Sequence, residues 1–318
     1  MKKAVAILIT AFSIALHIPV AAQTEKYEEI ASESLQREII EHLCDSVMEG
    51  RGSGTGGGML ARNYILNRFE QLDLKPFYFR RQESFFYNEK ITMHNVMGVV
   101  PALGISDKYI VVSAHYDHLG VIKGKTYPGA DDNASGVAAL LTMAQMFSQM
   151  RQDGMGPSVN ILFVAFDGKE YSMAGSKRFI AGLPIAPQDI VCEINMDILG
   201  STLVPVHKNP EYLIVLGRNT LPEGMRNIIS NCNYGRKLYL DIDFTFYGSD
   251  DFTRTMYRLG DHYAFNQKGV SALFFTSGFH EHTLKTTDTP AIIDYEVLAK
   301  RTKLIFYTIL GISNVSNH

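Results

Sequence analysis

Four short segments concentrate the side chains able to do chemistry. SAHYDHLG sets His115 and Asp117 just after the apolar run IVVS, and PGADDNASG sets Asp131 and Asp132 ahead of a helix-forming stretch. VAFDGKEYSMAGS carries Asp167 and Glu170 after a second apolar run, and INMDILG carries Asp197 after a third. Imidazole nitrogen and carboxylate oxygen are ligands zinc accepts, at about 2.0 to 2.2 Å. Each residue alone has a plain structural use: Asp132 as a helix cap, Glu170 near a helix N-terminus, Asp197 in a turn. Together they point to a metal centre, because all sit at strand-like ends beside small residues that let backbone and ion approach closely. His118 and Asp131 read as loop groups or as supports behind the ligands.

Two other patterns fail on context. Gly52, Gly54 and Gly57 of GSGTGG match the dinucleotide-binding G-x-G-x-x-G, which needs a strand before it and a helix after it. Here a helix precedes it, so a flexible connection between two helices is expected. The HEH triplet of His280 and His282 is spaced i, i+2 and is not the helical H-E-x-x-H zinc motif. A G-x-S-x-G nucleophile turn is absent.

The elements that must carry these residues can be read from periodicity. Apolar residues at helical spacing predict helices from Tyr27 to Met48 and from Met59 to Leu72. Strand-like HNVMGVVPA, KYIVVSAH, VNILFVAF, IVCEINMDIL, YLIVLG and VSALFFTSG alternate with helical GVAALLTMAQMFSQM, a helix after Ser172, one around Pro222 to Ser230, and a last one from Tyr295 to Leu310. Such alternation predicts an α/β fold: a single domain whose mostly parallel sheet has helices on both faces. In open sheets of this kind ligands gather at the carboxyl ends of strands, where the polar clusters lie.

The 318 residues carry 30 Lys and Arg against 33 Asp and Glu, a net charge of -3, with no basic block. That excludes a phosphate-backbone footprint, so no nucleic-acid partner is expected. MKKAVAILITAFSIALHIPVAAQ reads as a secretory signal over residues 1–22, cleaved after Ala22. The mature chain, 23–318, is then exported to the periplasm or medium, with no membrane attachment after cleavage. Losing Lys2 and Lys3 takes its charge from -3 to -5. Three cysteines, Cys44, Cys192 and Cys232, are too few and too far apart for a disulfide scaffold or a structural zinc site.

AHYDHLG, GADDNASG, FDGKEYSMAGS, NMD, GDHYAF and TSGFHEHTLKTTDT, in that order, resemble the co-catalytic di-zinc aminopeptidase family that also includes glutaminyl cyclases. The resemblance covers nearly the whole mature chain and implies a zinc exopeptidase-type fold with a mixed, mostly parallel twisted sheet. It implies that Asp132 bridges two ions, that His115 and Asp197 complete the first, and that Asp117 orients the imidazole. For the second ion it implies Glu170 and a late histidine, with a glutamate before Glu170 as general base. Here that glutamate is Lys169, and the late-histidine position falls on Leu284. His282, or failing it His280, could stand in only if the loop is remodelled, since positions two apart in an extended segment lie about 6.6 Å apart.

Lys169, a catalytic candidate with Glu170 and Asp117, could occupy the neighbourhood of the second ion as an ammonium among carboxylates or, if burial lowered its pKa enough, act as a base, though nearby carboxylates favour the charged form; Glu170 becomes the candidate base. GDHYAF resembles a segment at the family's substrate cleft, which makes His262 and Tyr263 substrate-binding candidates, with a packed turn as the alternative; Tyr247 and Asp250 are placed near the cleft by chain order alone. The expected protein is a monomeric zinc aminopeptidase with one ion, or two if His282 is recruited, acting on peptide or protein. The alternatives are a catalytically inactive peptide-binding or partner-binding relative and, as the poorest fit, a glutaminyl cyclase.

Overall fold

A computed structural model describes residues 20–204 and 208–315; the expected signal lies mostly outside them. Helices α1 (Val20–Glu28), α2 (Glu33–Leu43) and α3 (Gly56–Gln71) open the described chain, and α1 runs through the expected cleavage point. Strands β1 (Gln82–Asn88), β2 (Ile91–Val100) and β3 (Tyr109–His115) follow, then the small hairpin β4 (Gly120–Ile122) and β5 (Lys125–Tyr127). Next come α4 (Gly136–Gln152), β6 (Asn160–Phe166), α5 (Ala174–Ala181), β7 (Ile190–Met196) and β8 (Tyr212–Leu216). The chain continues through α6 (Ile228–Gly235), β9 (Asp241–Asp243), α7 (Asp250–Tyr257), α8 (His262–Asn266), β10 (Ala272–Thr276) and α9 (Tyr295–Val315).

Eight strands form one sheet in the order β1-β2-β6-β3-β7-β10-β8-β9. The central run β6, β3, β7, β10 is parallel and the flanks are mixed, as expected for the α/β class. Successive residues of each central strand face opposite layers. Ile110, Val112 and Ala114 of β3 and Ile161, Phe163 and Ala165 of β6 join the core under α2, α4 and α9. Val111, Leu162, Val164 and Phe166 join the opposite core, with Phe179 of α5 and Phe265 of α8. These strands are buried on both faces, which is why they read as continuous apolar runs.

Three details depart from expectation. The single helix predicted over Tyr27 to Met48 is broken, because Ser32 caps α2, its hydroxyl accepting the Leu35 N–H at 3.3 Å, and residues 46–51 form a 3-10 turn. The helix around Pro222 to Ser230 begins only at Ile228, with a 3-10 turn before it. The GSGTGG connection is tightly packed and not a flexible link: a Cβ on Gly57 would lie 1.9 Å from the Met48 carbonyl oxygen. All three cysteines are free thiols, and no helix among the described residues is long and apolar enough to cross a membrane.

Candidate metal centre

Strand register aligns the chemistry. β3 pairs in parallel with β6, His115 opposite Phe166, and with β7, Ser113 opposite Asn195, so the carboxyl ends of all three strands finish side by side. His115 ends β3, Asp197 follows β7 by one residue, and the 167–170 turn follows β6. Asp131 and Asp132 enter from the irregular segment 130–135 that leads into α4.

His115 Nε2 lies 3.2 Å from Asp197 Oδ1 and 3.5 Å from Asp132 Oδ1. One nitrogen and two carboxylate oxygens at these separations match the edges of a tetrahedral zinc site, about 3.3 Å for bonds of about 2.0 Å. A second group shares Asp132: His118 Nδ1 lies 4.0 Å from Asp132 Oδ2 and 3.9 Å from Glu170 Oε1. Within each group the ligand atoms lie within 4.8 Å of one another. The two oxygens of Asp132 thus face two different imidazoles.

A frame of buried hydrogen bonds fixes these positions. Both oxygens of Asp288 accept from the backbone of the aspartate pair, from Asp131 N at 2.8 Å and Asp132 N at 3.0 Å. Asn133 donates to the Met196 carbonyl at 2.9 Å and accepts from Gly136 N and Ile198 N, tying α4 to the end of β7. Asp131 accepts from Gly200 N and Ser201 N and pairs with His280 Nε2 at 3.0 Å, so it faces away from both ligand groups. Arg51, wholly buried, donates to the carbonyls of Leu43, Tyr116, Pro128 and Gly129.

Asp117 holds a loop more than an imidazole. Its carboxylate accepts from Lys169 N at 3.1 Å, Glu170 N at 3.2 Å and Ser53 Oγ at 3.2 Å, while His115 Nδ1 lies closer to its carbonyl oxygen, at 3.1 Å, than to its carboxylate, at 3.7 Å. Asp167 is likewise a frame residue, accepting from Ser53 Oγ, His94 N and Tyr116 OH.

Lys169 Nζ donates to Asp197 Oδ2 at 2.7 Å. Burial alone would lower its pKa, but Asp197, Asp132 and Asp261 outweigh burial and hold the ammonium charged. Burial would raise Asp197 and lower His115; Lys169 and His115 instead keep Asp197 ionised, and Asp197 raises His115. Burial, reinforced by Asp197, lifts Asp132 to about 6; burial, reinforced by Asp132, lifts Glu170 to about 7. His118 is pushed the other way by burial and the charges of Arg51 and His115.

His282 does not reach either group. Its Nδ1 pairs with Thr287 Oγ1 at 2.9 Å and its Nε2 faces Glu281, while Leu284 sits at the cavity rim with φ of 59°. His262 is fully buried, stacked on Phe274 with ring centroids 4.6 Å apart, and Tyr263 packs edge-on against Tyr257; neither lines the cavity beside the metal groups. That cavity, about 190 Å3, is lined by Asp132, Lys169, Glu170 and Asp197. Phe246, Met256, Leu259, Phe274, Phe279 and Leu284 supply apolar lining to the same cavity. Tyr247 bonds to the backbone of Phe279 through its hydroxyl, and Asp250 opens α7.

Residues 95–309, more than half of the chain, match the sequence profile of Peptidase family M28. The chain belongs to that family. Among curated proteins it is 26% identical to transferrin receptor protein 2 of Homo sapiens over 156 residues, 48% of this chain and 18% of the receptor. It therefore spans only about a fifth of that relative's length. It is 20% identical to leucine aminopeptidase 1 of Paracoccidioides brasiliensis over 89% of this chain and 72% of that protein. Its fold matches the Legionella pneumophila LapA aminopeptidase with a TM-score of 0.71 and 16% identity, covering 98% of this chain and 78% of that one. The expected membership of a zinc exopeptidase family, and the fold, are borne out.

Proposed function

We propose that this M28 protein is an exported zinc aminopeptidase that removes N-terminal residues from peptides. The observation that carries the reading is the convergence of His115, Asp132 and Asp197 at the end of an apolar cavity that Glu170 also lines. Those three side chains would hold a zinc ion, which when bound would supply the positive charge that polarises a carbonyl and acidifies a water. Asp197 has Oδ2 engaged by Lys169, which would leave Oδ1, the oxygen beside His115, to hold a metal ion. The apolar lining seats a nonpolar first side chain and excludes water from around the scissile carbonyl.

Glu170 carries the proton. Asp132 and Asp197 face His115, and Asp197 also holds Lys169, which leaves Glu170 as the cavity carboxylate free to act. It accepts a proton from the attacking water, whose oxygen bonds to the carbonyl carbon. The proton then passes to the leaving nitrogen as the C–N bond breaks, giving a carboxylic acid and a new amine. Export is supported by the two lysines and apolar stretch at the start of the chain.

The competing reading is a peptidase-fold protein that binds peptides without cutting them; Lys169 in place of the family's acidic base favours it. The test is hydrolysis of aminoacyl peptides with free and with acetylated N-termini, by chelated and zinc-restored protein. Zinc-restored release from free N-termini alone supports the aminopeptidase. No turnover across apolar, polar and charged first residues, with peptide still bound, decides for the binding protein.

A further inference from the structure

His118 is 1% exposed, yet neither of its ring nitrogens has a hydrogen-bond partner. Burying a polar group without a partner costs free energy comparable to a lost hydrogen bond. The imidazole is held there all the same. His118 N donates to the Arg51 carbonyl, and the ring lies against Gly129, where a Cβ would stand 2.6 Å from the ring carbons. Gly129, at φ of 58°, is thus left without a side chain where the ring passes.

The atoms that ring nitrogen faces are carboxylate oxygens: Glu170 Oε1 at 3.9 Å and Asp132 Oδ2 at 4.0 Å. These separations are too long for hydrogen bonds and about 0.6 to 0.7 Å wider than the roughly 3.3 Å edge of a tetrahedral zinc site, a gap that small side-chain rotations toward an ion would close. Asp132 Oδ1 is turned to His115 and Oδ2 to His118, an orientation suited to a carboxylate that bridges two cations. The late loop offers nothing here, since His280 is paired with Asp131 and His282 with Thr287.

We propose that His118, Asp132 and Glu170 form a second divalent-cation site, with the imidazole supplied by the loop after β3, and that filling this site withdraws Glu170 from its work as base. The effect on turnover rests on the aminopeptidase reading; the binding itself does not. With Lys169 preceding Glu170, the cavity lining holds no spare carboxylate once Asp132, Asp197 and Glu170 are all engaged. Activity therefore rises with the first equivalent of zinc and falls with the second, by about 100-fold or more if the base is lost.

The experiment titrates chelator-stripped protein with zinc, counts bound metal by elemental mass spectrometry after desalting, and follows aminopeptidase turnover on the same samples. The wild type is expected to bind two equivalents, His118→Ala and Glu170→Gln one each, and His282→Ala two. His118→Ala is also expected to lose the fall in turnover beyond one equivalent. Thermal melting of each variant with one zinc bound checks that the fold survives, and Glu170→Gln reports on the same site if His118→Ala does not fold. Wild type binding one equivalent overturns the second site and leaves the aminopeptidase reading standing, whereas no bound zinc overturns both. Two equivalents retained in both His118→Ala and Glu170→Gln place the second ion elsewhere. Full turnover at two equivalents refutes the withdrawal of Glu170.

Discussion

Lys169→Met tests whether the ammonium acts as a built-in counter-charge for the ligand carboxylates. The methionine side chain is close in length to lysine's and carries no charge, so the change removes the contact from Nζ to Asp197 Oδ2 at 2.7 Å while largely conserving volume. At an effective dielectric constant near 20, unit charges at that distance attract by about 6 kcal/mol before desolvation is subtracted. Both groups are largely buried, with side-chain exposures of 17% and 7%, and removing one partner of a buried pair typically costs about 3–5 kcal/mol. At roughly 2 °C per kcal/mol for a chain of this size, metal-free Lys169→Met should melt about 6–10 °C below the metal-free wild type. Asp197 would then lie beside Asp132 and His115 without its ammonium, and added zinc would take over its neutralisation. The gain in melting temperature on zinc addition is therefore larger in the variant than in the wild type. Differential scanning calorimetry with chelator and with saturating zinc measures all four states. Equal melting of the two metal-free proteins, or an equal zinc increment in both, refutes the reasoning.

Three further predictions concern the frame. Asp288→Ala removes the acceptors that hold the Asp131 and Asp132 amides and should weaken zinc binding about 10- to 100-fold, with Asp288→Asn losing less; competition with a chromophoric chelator measures it. Gly57→Ala drives a methyl against the Met48 carbonyl and should cost about 3 kcal/mol or more, seen as a lower denaturation midpoint. Glu193, wholly buried with Ser113 donating to it at 2.6 Å, is held well above the usual carboxylate range by burial. The folded protein thus keeps a proton that the unfolded chain releases near pH 4.3, so this group makes stability fall as pH rises above that value, by about 1.4 kcal/mol per unit until the folded pKa is reached. Glu193→Gln should remove that slope, and a stability difference between variant and wild type that stays flat from pH 4 to 8 would show that the carboxyl titrates normally.

The central sheet was legible because β3, β6 and β7 are buried on both faces and their sequences consist of little else than apolar residues. The strand-end positions of His115 and Asp197 followed directly, and Asp132 and Glu170 were found by their small and acidic neighbours. β1 was missed: QESFFYN exposes most of its residues, so it shows neither alternation nor a continuous apolar run. β9 is three residues long, too short for any period. Ser32 escaped notice because its capping role interrupts a pattern whose apolar residues keep helical spacing across the break. His118 is hidden in the sequence for a different reason. Its neighbours Asp132 and Glu170 are 14 and 52 positions away in the chain; the parallel register of β3 with β6 brings Glu170 to it, and the segment 130–135 leading into α4 brings Asp132, while the available signal is that His118 lies three residues after His115, in the same strand-end loop. Asp288 is a still longer-range case, since nothing near it indicates that it receives the amides of residues 131 and 132.

Arg51 has a consequence for where this protein can be cut. The family match starts at residue 95, which invites expression of a shorter piece beginning there. Such a piece would lack the guanidinium that ties the carbonyls of Tyr116, Pro128 and Gly129, the hydroxyl of Ser53 that joins Asp117 to Asp167, and the packed α2 and α3. The loop before Asp131 would then have no fixed departure point, and the ligands would be tethered to an unanchored segment. The smallest unit able to assemble the metal centre therefore begins upstream of Arg51, in a region that lies outside the family match.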